Sequence, residues 1–161
     1  GNIYVATRGG LIYAADFSLG NFKPIYNTKQ KLVSTITVID DELWIGYSVE
    51  GIDVINKNGK YLKNYSQENK GDYHISNDRV RKILKSANDD IWVGTMEGIS
   101  IINSNGSQDI TQNPMNGLPH NGIFDLFEDK NEGVWVATWS GGLAYYHKLN
   151  YKFRSYTRTN T

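Results

Sequence analysis

The sequence has no cysteine and no excess of charge of either sign. The absence of cysteine excludes disulfides and thiolate metal sites, and it leaves the redox compartment open. Lys plus Arg equals Asp plus Glu, at 17 each, so the 161-residue chain has no summed field that would attract nucleic acid or an anionic membrane. We therefore expect no nucleic-acid partner. No apolar run approaches the length of about 20 residues that a helix needs to span a bilayer.

Motifs for catalysis and for metal or cofactor binding are also missing. The histidines His74, His120 and His147 have no zinc-site spacing. The segment 129–133 resembles part of a calcium loop but lacks the third ligand and the terminal Glu, so we interpret it as a hairpin turn. No glycine-rich loop leads into a helix, and no nucleophile motif occurs. We expect no catalytic residue, no metal and no cofactor.

Proline is scarce and helical periodicity is weak, whereas glycine and aromatic residues are abundant. The chain has 3 Pro against 16 Gly and 11 Tyr, a composition typical of a β-rich protein with many tight turns. One segment, 78–85, could form a helical turn or two. We interpret it as a strand because its counterparts elsewhere in the chain have strand patterns.

One short pattern occurs four times along the chain. Each copy has an apolar residue, an aromatic residue, an apolar residue, Gly or Ala, and then Thr or Tyr. A glycine followed by an aliphatic residue comes a few positions later. The copies are residues 3–7, 43–47, 91–95 and 134–138. The aromatic residue recurs at intervals of roughly 40 to 48 residues, which is the length of a β-propeller blade.

Further strand and turn signals complete each copy. An apolar stretch precedes the aromatic strand in the last three copies, and Asn58-Gly59 and Asn105-Gly106 are hairpin signals. A more polar strand ends each copy, at residues 22–26, 61–65, 107–111 and 151–156. The sequence therefore predicts an all-β chain of about four β-propeller blades, each of four antiparallel strands. The expected blade bounds are 1–30, 31–69, 75–113 and 119–158, with the first strand of the first blade missing.

Blades that stack face to face bury their inner strands on both sides. This explains why Ile91-Trp92-Val93 is apolar at consecutive positions. The small residue that follows, Gly94 in this copy, leaves room for a neighbouring blade. Terminal blades of an open ring expose apolar faces. Four blades could just close a ring, but the missing first strand favours truncation, so we interpret the chain as a fragment of a larger propeller.

The fourth copy resembles the two-component regulator propeller repeat. The family pattern is close to N-G-L-P-x-N, a hydrophobic stretch, D-x-x-G-x-[LV]-W-[IV]-[GA]-T and then G-[GL]-L. Residues 116–121, Asp129, 133–138 and 141–143 follow it. The third copy lacks the Leu-Pro pair, and the second has Tyr47 where threonine is usual. The resemblance extends over nearly the whole chain.

The resemblance implies the periplasmic sensor region of a hybrid two-component histidine kinase of the Bacteroidetes type. Such proteins typically carry two seven-bladed propellers, a β-sandwich, a membrane span and a cytoplasmic kinase, and many detect oligosaccharides. For this chain it implies a non-catalytic ligand-sensing role in an inner-membrane protein. The implied partners are an oligosaccharide, the remaining blades and β-sandwich of the parent, and a second copy of the parent in a homodimer.

The loops at one end of the propeller axis are the expected ligand site, because loops vary while the blades hold them rigidly. The turns between second and third strands contribute Arg8, Glu50, Met96, Glu97 and Trp139. The connections between blades contribute Tyr73, His74 and His120. Trp139 lies outside the repeated core pattern, so it either stacks on a sugar or packs against a neighbouring blade or domain.

Two other functional classes stay open at this point. A protein-docking propeller scaffold needs no small-molecule site. A propeller lyase of the streptogramin-inactivating type needs a His or Glu base and usually a metal. His74 and His120 lie in suitable loops for that chemistry, but the sequence places no acidic partner with either of them.

Overall fold

Fifteen strands and one short helical turn account for the secondary structure of the described part of the chain. The computed structural model describes residues 2–16, 18, 20–29, 31–113, 115–150 and 152–158. The strands form four separate antiparallel sheets, here named blades 1 to 4, and within each sheet they are ordered as in the sequence.

Blade 1 has three strands and the other blades have four. Blade 1 contains β1 (Asn2–Ala6), β2 (Leu11–Asp16) and β3 (Lys23–Asn27), and blade 2 contains β4 (Val33–Ile39), β5 (Glu42–Tyr47), β6 (Ile52–Asn56) and β7 (Tyr61–Tyr65). Blade 3 contains β8 (Val80–Lys85), β9 (Ile91–Thr95), β10 (Gly98–Asn103) and β11 (Gly106–Ile110). Blade 4 contains β12 (Ile123–Glu128), β13 (Val134–Thr138), β14 (Leu143–Tyr146) and β15 (Arg154–Tyr156).

These sheets confirm the prediction of an all-β propeller with an incomplete first blade. The ambiguous segment 78–85 is a strand from Val80 onward. The last strand begins at Arg154, and Tyr151, where we expected it to start, lies outside the described residues. A 3-10 turn at Gly71–Tyr73 is the helical element in the described ranges. None of the helical structure found there has the length and apolar character needed to cross a bilayer.

The blades stack face to face through their first strands. Strand β4 lies against β8, and β8 lies against β12. The Thr37 hydroxyl donates to the Ile83 carbonyl at 3.0 Å, and Lys82 Nζ lies 3.1 Å from a carboxylate oxygen of Asp125. Three apolar clusters fill the spaces between successive blades. The first strands therefore form the inner wall, and the later strands lie further out.

The repeated tryptophan of blades 2 and 3 packs towards the following blade. Trp44 shares a cluster with Val80 and Ile83 of blade 3 and is 1% exposed. Trp92 shares a cluster with Ile123 and Leu126 of blade 4 and is 2% exposed. The same position in blades 2 and 3 is thus used for the contact with the next blade.

The two terminal blades differ from the inner blades at these positions. Ile3 and Val5 of blade 1 are 38% and 40% exposed, whereas the matching Leu43 and Ile45 are 1% and 0% exposed. At the other end, Trp135 is only partly buried and stacks within its own blade. The exposure of a repeat position is therefore set by the presence of a neighbouring blade and not by residue type.

The small residue after the tryptophan strand allows this close approach. A Cβ on Gly46 would lie 2.8 Å from Val80 Cγ1, and a Cβ on Gly94 would lie 2.6 Å from Ile123 Cγ2. Both contacts are shorter than van der Waals separation, and both are made with the next blade. This confirms that glycine is needed there for blade packing.

The segment that resembled a calcium loop is a hairpin turn. One carboxylate oxygen of Asp129 accepts the backbone N–H groups of Asn131 and Gly133 at 2.8 and 3.1 Å. The other accepts the Trp135 indole N–H at 3.0 Å. Desolvation would raise the pKa of Asp129, but these hydrogen bonds outweigh it and lower the pKa. Asp129 therefore joins the turn to the tryptophan of its own blade.

We expect Gly94→Ala to destabilise the protein, because its methyl group would collide with Ile123 of blade 4. Overpacking of this kind costs about 1–3 kcal/mol. Gly9→Ala is the matched control, since the nearest heavy atom to a Cβ there is 3.9 Å away. Urea unfolding of both variants measures the difference. Equal stability of the two variants would show that the blades do not depend on the close approach.

Candidate functional site

A cleft opens between the outer strands of blades 1 and 2. Its volume is about 760 Å³. It is lined by the end of β3, the connection to β4, the β5–β6 turn, one position of β6 and two positions of β7. The lining residues are Tyr26, Asn27, Thr28, Lys29, Lys31, Glu50, Asp53, Tyr61 and Asn64. Of the predicted ligand residues, Glu50 is the one that lines this cleft.

A carboxylate surrounded by hydrogen-bond donors lies at the base of the cleft. Asp53 is 4% exposed. One of its oxygens accepts the hydroxyls of Tyr47 and Tyr26 at 2.8 and 3.1 Å and lies 3.2 Å from Lys31 Nζ. Its other oxygen accepts an amide N–H of Asn64 at 3.0 Å. Four donors from three strands and one connection therefore converge on a single buried charge.

Two departures from the repeat create this cluster. Tyr47 occupies the position of Thr95 in blade 3, and Asp53 occupies that of Ser100. Burial of a carboxylate costs several kcal/mol unless ion pairing and hydrogen bonds offset it. Blade 3 has a different polar contact at this position, where the Ser100 hydroxyl donates to Asp109 at 2.6 Å, so blade 2 is specialised in burying a carboxylate there.

The tyrosines of the cluster are held in their neutral form. Burial raises the pKa of Tyr47 well above its usual value, and the hydrogen bond to the Asp53 carboxylate adds to the effect. Burial, followed by the charge of Asp53, raises the pKa of Tyr26 in the same way. Lys31 Nζ also lies 4.6 Å from the centroid of the Tyr47 ring. The hydroxyls therefore remain donors, and the Tyr47 ring face contacts a cation.

A second candidate region surrounds Trp139, which is 57% exposed. Its ring centroid lies 5.9 Å from that of Phe124 on β12, and Arg81 Cζ on β8 lies 5.7 Å from it. Phe124 and Arg81 are both exposed and belong to inner strands. We call Arg81, His120, Phe124 and Trp139 the Trp139 patch.

The backbone of Gly122 holds His120 beside Trp139. Its Nδ1 accepts the backbone N–H of Gly122 at 2.9 Å. A Cβ on Gly122 would lie 3.2 Å from the His120 ring and 3.3 Å from Trp139 Cβ. The structure therefore brings two of the predicted ligand residues together, on either side of a glycine.

Tyr73 and His74 lie beside outer strands. The Tyr73 ring centroid is 5.5 Å from that of Tyr65 on β7. His74 Nε2 lies 2.8 Å from a carboxylate oxygen of Asp109 on β11, and its Nδ1 lies 3.1 Å from the Asn69 carbonyl. His74 thus has the acidic partner that the sequence did not reveal, and this pair connects the blade 2–blade 3 connection to blade 3.

The other predicted residues lie in the turns between second and third strands. Arg8 is exposed in the β1–β2 turn. In the β9–β10 turn, the Met96 N–H donates to the Arg79 carbonyl at 3.1 Å and the Glu97 N–H donates to the Thr95 hydroxyl at 3.1 Å. Met96 and Glu97 therefore lie at the same end of the blades as the β7–β8 connection.

Comparisons with known proteins agree with this architecture. Residues 117–140 match the family model described as the two-component regulator propeller. This segment is a two-component regulator propeller repeat. The repeat contains Asp129 and Trp135, which form the turn contact, and also His120 and Trp139 of the Trp139 patch. The family resemblance inferred from the sequence is confirmed.

Two solved structures share the arrangement of blades. Both are extracellular domains from B. thetaiotaomicron of proteins described as hybrid two-component systems. One has a TM-score of 0.74 over 98% of this chain at 24% identity. The other has a TM-score of 0.72 over 97% of this chain at 21% identity. At these identities the similarity shows the propeller fold alone.

This propeller chain is short compared with its relatives. It spans 20% and 23% of the two solved chains. The histidine kinase P4 of Formosa agariphila is 37% identical over 71 residues, which is 40% of this chain and 5% of that protein. The repeat-bearing chain therefore corresponds to a small part of much longer proteins.

Sequence reasoning missed most of the residues in both regions. Lys31 and Tyr26 precede blade 2 and carry no motif. Arg81 and Phe124 lie within inner strands of the propeller, where the sequence pattern predicts core positions. For Asp53 a signal existed, because a charged residue interrupts the apolar strand Ile52–Asn56. Tyr47 also stood out as a departure from the two-component regulator propeller repeat.

We expect the free energy of unfolding to fall as the pH rises above about 10, the ordinary tyrosine pKa. The folded protein keeps Tyr47 and Tyr26 protonated, and burial raises the pKa of Tyr65 to about 12. The unfolded chain loses these protons first, so the stabilisation present below pH 10 is lost at higher pH. Urea unfolding as a function of pH measures the slope, which should be smaller in Tyr47→Phe. An unchanged slope would contradict the proposed burial of Tyr47.

Proposed function

We propose that this chain is an extracytoplasmic ligand-sensing segment of a hybrid two-component histidine kinase. The support is the two-component regulator propeller repeat, together with a fold shared with extracellular domains described as parts of such systems. In this proposal the kinase lies elsewhere in the parent protein. The segment itself is non-catalytic and periplasmic, and it takes part in a homodimer of the parent.

The ligand in this proposal is an oligosaccharide, and the observation that carries it is the exposed ring of Trp139. Trp44 and Trp92 fill the spaces between blades, whereas Trp139 is 57% exposed. Aromatic rings present a large apolar surface on which the C–H face of a sugar can stack. The guanidinium of Arg81 adds up to five donors for hydroxyl groups beside that ring.

Rigid support makes the Trp139 patch suitable for recognition. Phe124 and Arg81 project from β12 and β8, which are joined by the Lys82–Asp125 ion pair. A ligand that contacts both strands contacts two blades at once. Binding can therefore favour one relative arrangement of blades over another, which is the requirement for transmitting a signal.

The exposed faces of the terminal blades fit a place within a larger ring. Ile3 and Val5 at one end, and Trp135 at the other, occupy positions that are buried wherever a neighbouring blade is present. We propose that further blades of the parent cover them. In the proposed arrangement, the β-sandwich of the parent is a further partner of this chain.

A catalytic role is less well supported by the geometry of the histidines. Both ring nitrogens of His74 lie within hydrogen-bond distance of protein oxygens, and His120 Nδ1 accepts a backbone N–H. A general base needs an available nitrogen directed at the substrate. A docking scaffold is the stronger alternative, because Phe124, Phe127 and Trp139 are exposed apolar side chains on inner strands or adjacent turns.

Isothermal titration calorimetry of the intact sensor region tests the proposed ligand class. The probes are maltoheptaose, cellohexaose, xylohexaose and laminarihexaose, and we expect at least one of them to bind. Trp139→Ala should weaken that binding about tenfold or more, which is ~1.4 kcal/mol. Phe22→Ala is the matched control, because Phe22 is also half-exposed but lies on blade 1.

Binding that survives Trp139→Ala unchanged would remove the Trp139 patch from the proposal. Absence of heat with every oligosaccharide would favour the docking scaffold. Loss of binding in Phe22→Ala to the same degree would show that the effect of Trp139→Ala is not specific.

A further inference from the structure

Glu50 in the cleft between blades 1 and 2 has an unsatisfied carboxylate oxygen. Its Oε2 atom is buried and has no hydrogen-bond partner. Within the residues that the structure describes, no Lys, Arg or His nitrogen lies within 4.0 Å of this carboxylate. An acceptor without a donor is costly to bury, and more so when it is charged. Because the Glu50 side chain lines the cleft, a ligand there can supply a donor to this carboxylate.

The balance of charge inside the cleft indicates which kind of donor is favoured. The charge of Asp53 is matched by Lys31, whose Nζ lies 3.2 Å away. Glu50 is a second carboxylate, and its charge contributes to raising the pKa of Tyr47. The only other cation that lines the cleft among the described residues is Lys29, which is exposed. One negative charge therefore lacks a close partner in a partly desolvated space.

The walls of the cleft suit an organic cation. Tyr26 and Tyr61 line it, and Tyr61 is half-exposed. Tyrosine rings attract ammonium groups through their negative faces. Lys31 already shows this contact in the same cleft, with Nζ 4.6 Å from the Tyr47 ring centroid. The volume of about 760 Å³ is in the range of small-molecule sites.

We propose that this cleft binds the ammonium group of a small polar ligand, with the Glu50 carboxylate as its acceptor. The Asp53 cluster holds the base of the cleft in place, and Tyr61 contacts the ligand at the open side. The same ammonium chemistry is offered by an amino sugar and by a lysine side chain. This site is separate from the Trp139 patch and goes beyond the proposed oligosaccharide site.

Calorimetric titration of the intact sensor region with glucosamine and glucose tests the proposal. The two sugars differ in one ammonium group, so glucosamine should bind at least about tenfold more tightly. Nα-acetyl-lysine methylamide is a third probe. Tighter binding of glucosamine indicates an amino sugar as the source, and tighter binding of the lysine derivative indicates a peptide; either result supports an ammonium site.

Glu50→Gln should remove the preference for the cationic probes, because it removes the charge while keeping the shape of the side chain. Glu97→Gln is the matched control, since Glu97 lies in the corresponding turn of blade 3. Tyr61→Ala should weaken all cationic probes without changing the order of their affinities. Circular dichroism of each variant checks that it is folded.

Equal affinity for glucose and glucosamine, or no binding of either cationic probe, would overturn the proposal, and this comparison needs no variant. A preference that survives Glu50→Gln would overturn the role of Glu50. Trp139→Ala should leave glucosamine binding unchanged, so failure of the oligosaccharide proposal and failure of this one are distinguishable.

Discussion

Face-to-face packing of the blades is the constraint on which the rest of the structure depends. Each sheet is apolar on both sides, so it is stable only where a neighbour covers each side. Trp44 and Trp92 are buried in the clusters shared with the next blade, and glycine at 46 and 94 lets that blade approach. Turns such as the one closed by Asp129 hold the tryptophan of a blade in position.

Because the inner strands supply the contacts between neighbouring blades, the residues at the strand ends and on the outer strands can vary from blade to blade. Blade 2 uses that freedom at Tyr47 and Asp53, where a tyrosine and a buried carboxylate occupy the positions of Thr95 and Ser100 in blade 3. Blade 4 uses it at Trp139, which lies just after the end of β13. Both candidate regions are thus local changes on a repeated frame, which is how one fold supports many binding functions.

Much of the fold followed from local patterns. The recurrence of the aromatic strand predicted separate four-stranded blades, and the apolar run at Ile91-Trp92-Val93 predicted burial on both faces. The cleft was harder to predict, because Tyr26, Lys31 and Glu50 come from different blades or connections and meet only after blades 1 and 2 stack. Their spacing in the sequence carries no information about that distance.

Local sequence patterns were enough to predict the strand order within each blade, the positions of the turns and the family of the repeat, because these depend on residues close together in the chain. The tertiary structure alone decided that Asp53 is paired by Lys31, that His74 meets Asp109, and that Arg81 lies over Trp139. These contacts join groups separated by more than twenty residues. The distances between these groups are set by the packing of sheets and connections against one another, and they do not depend on the local sequence pattern.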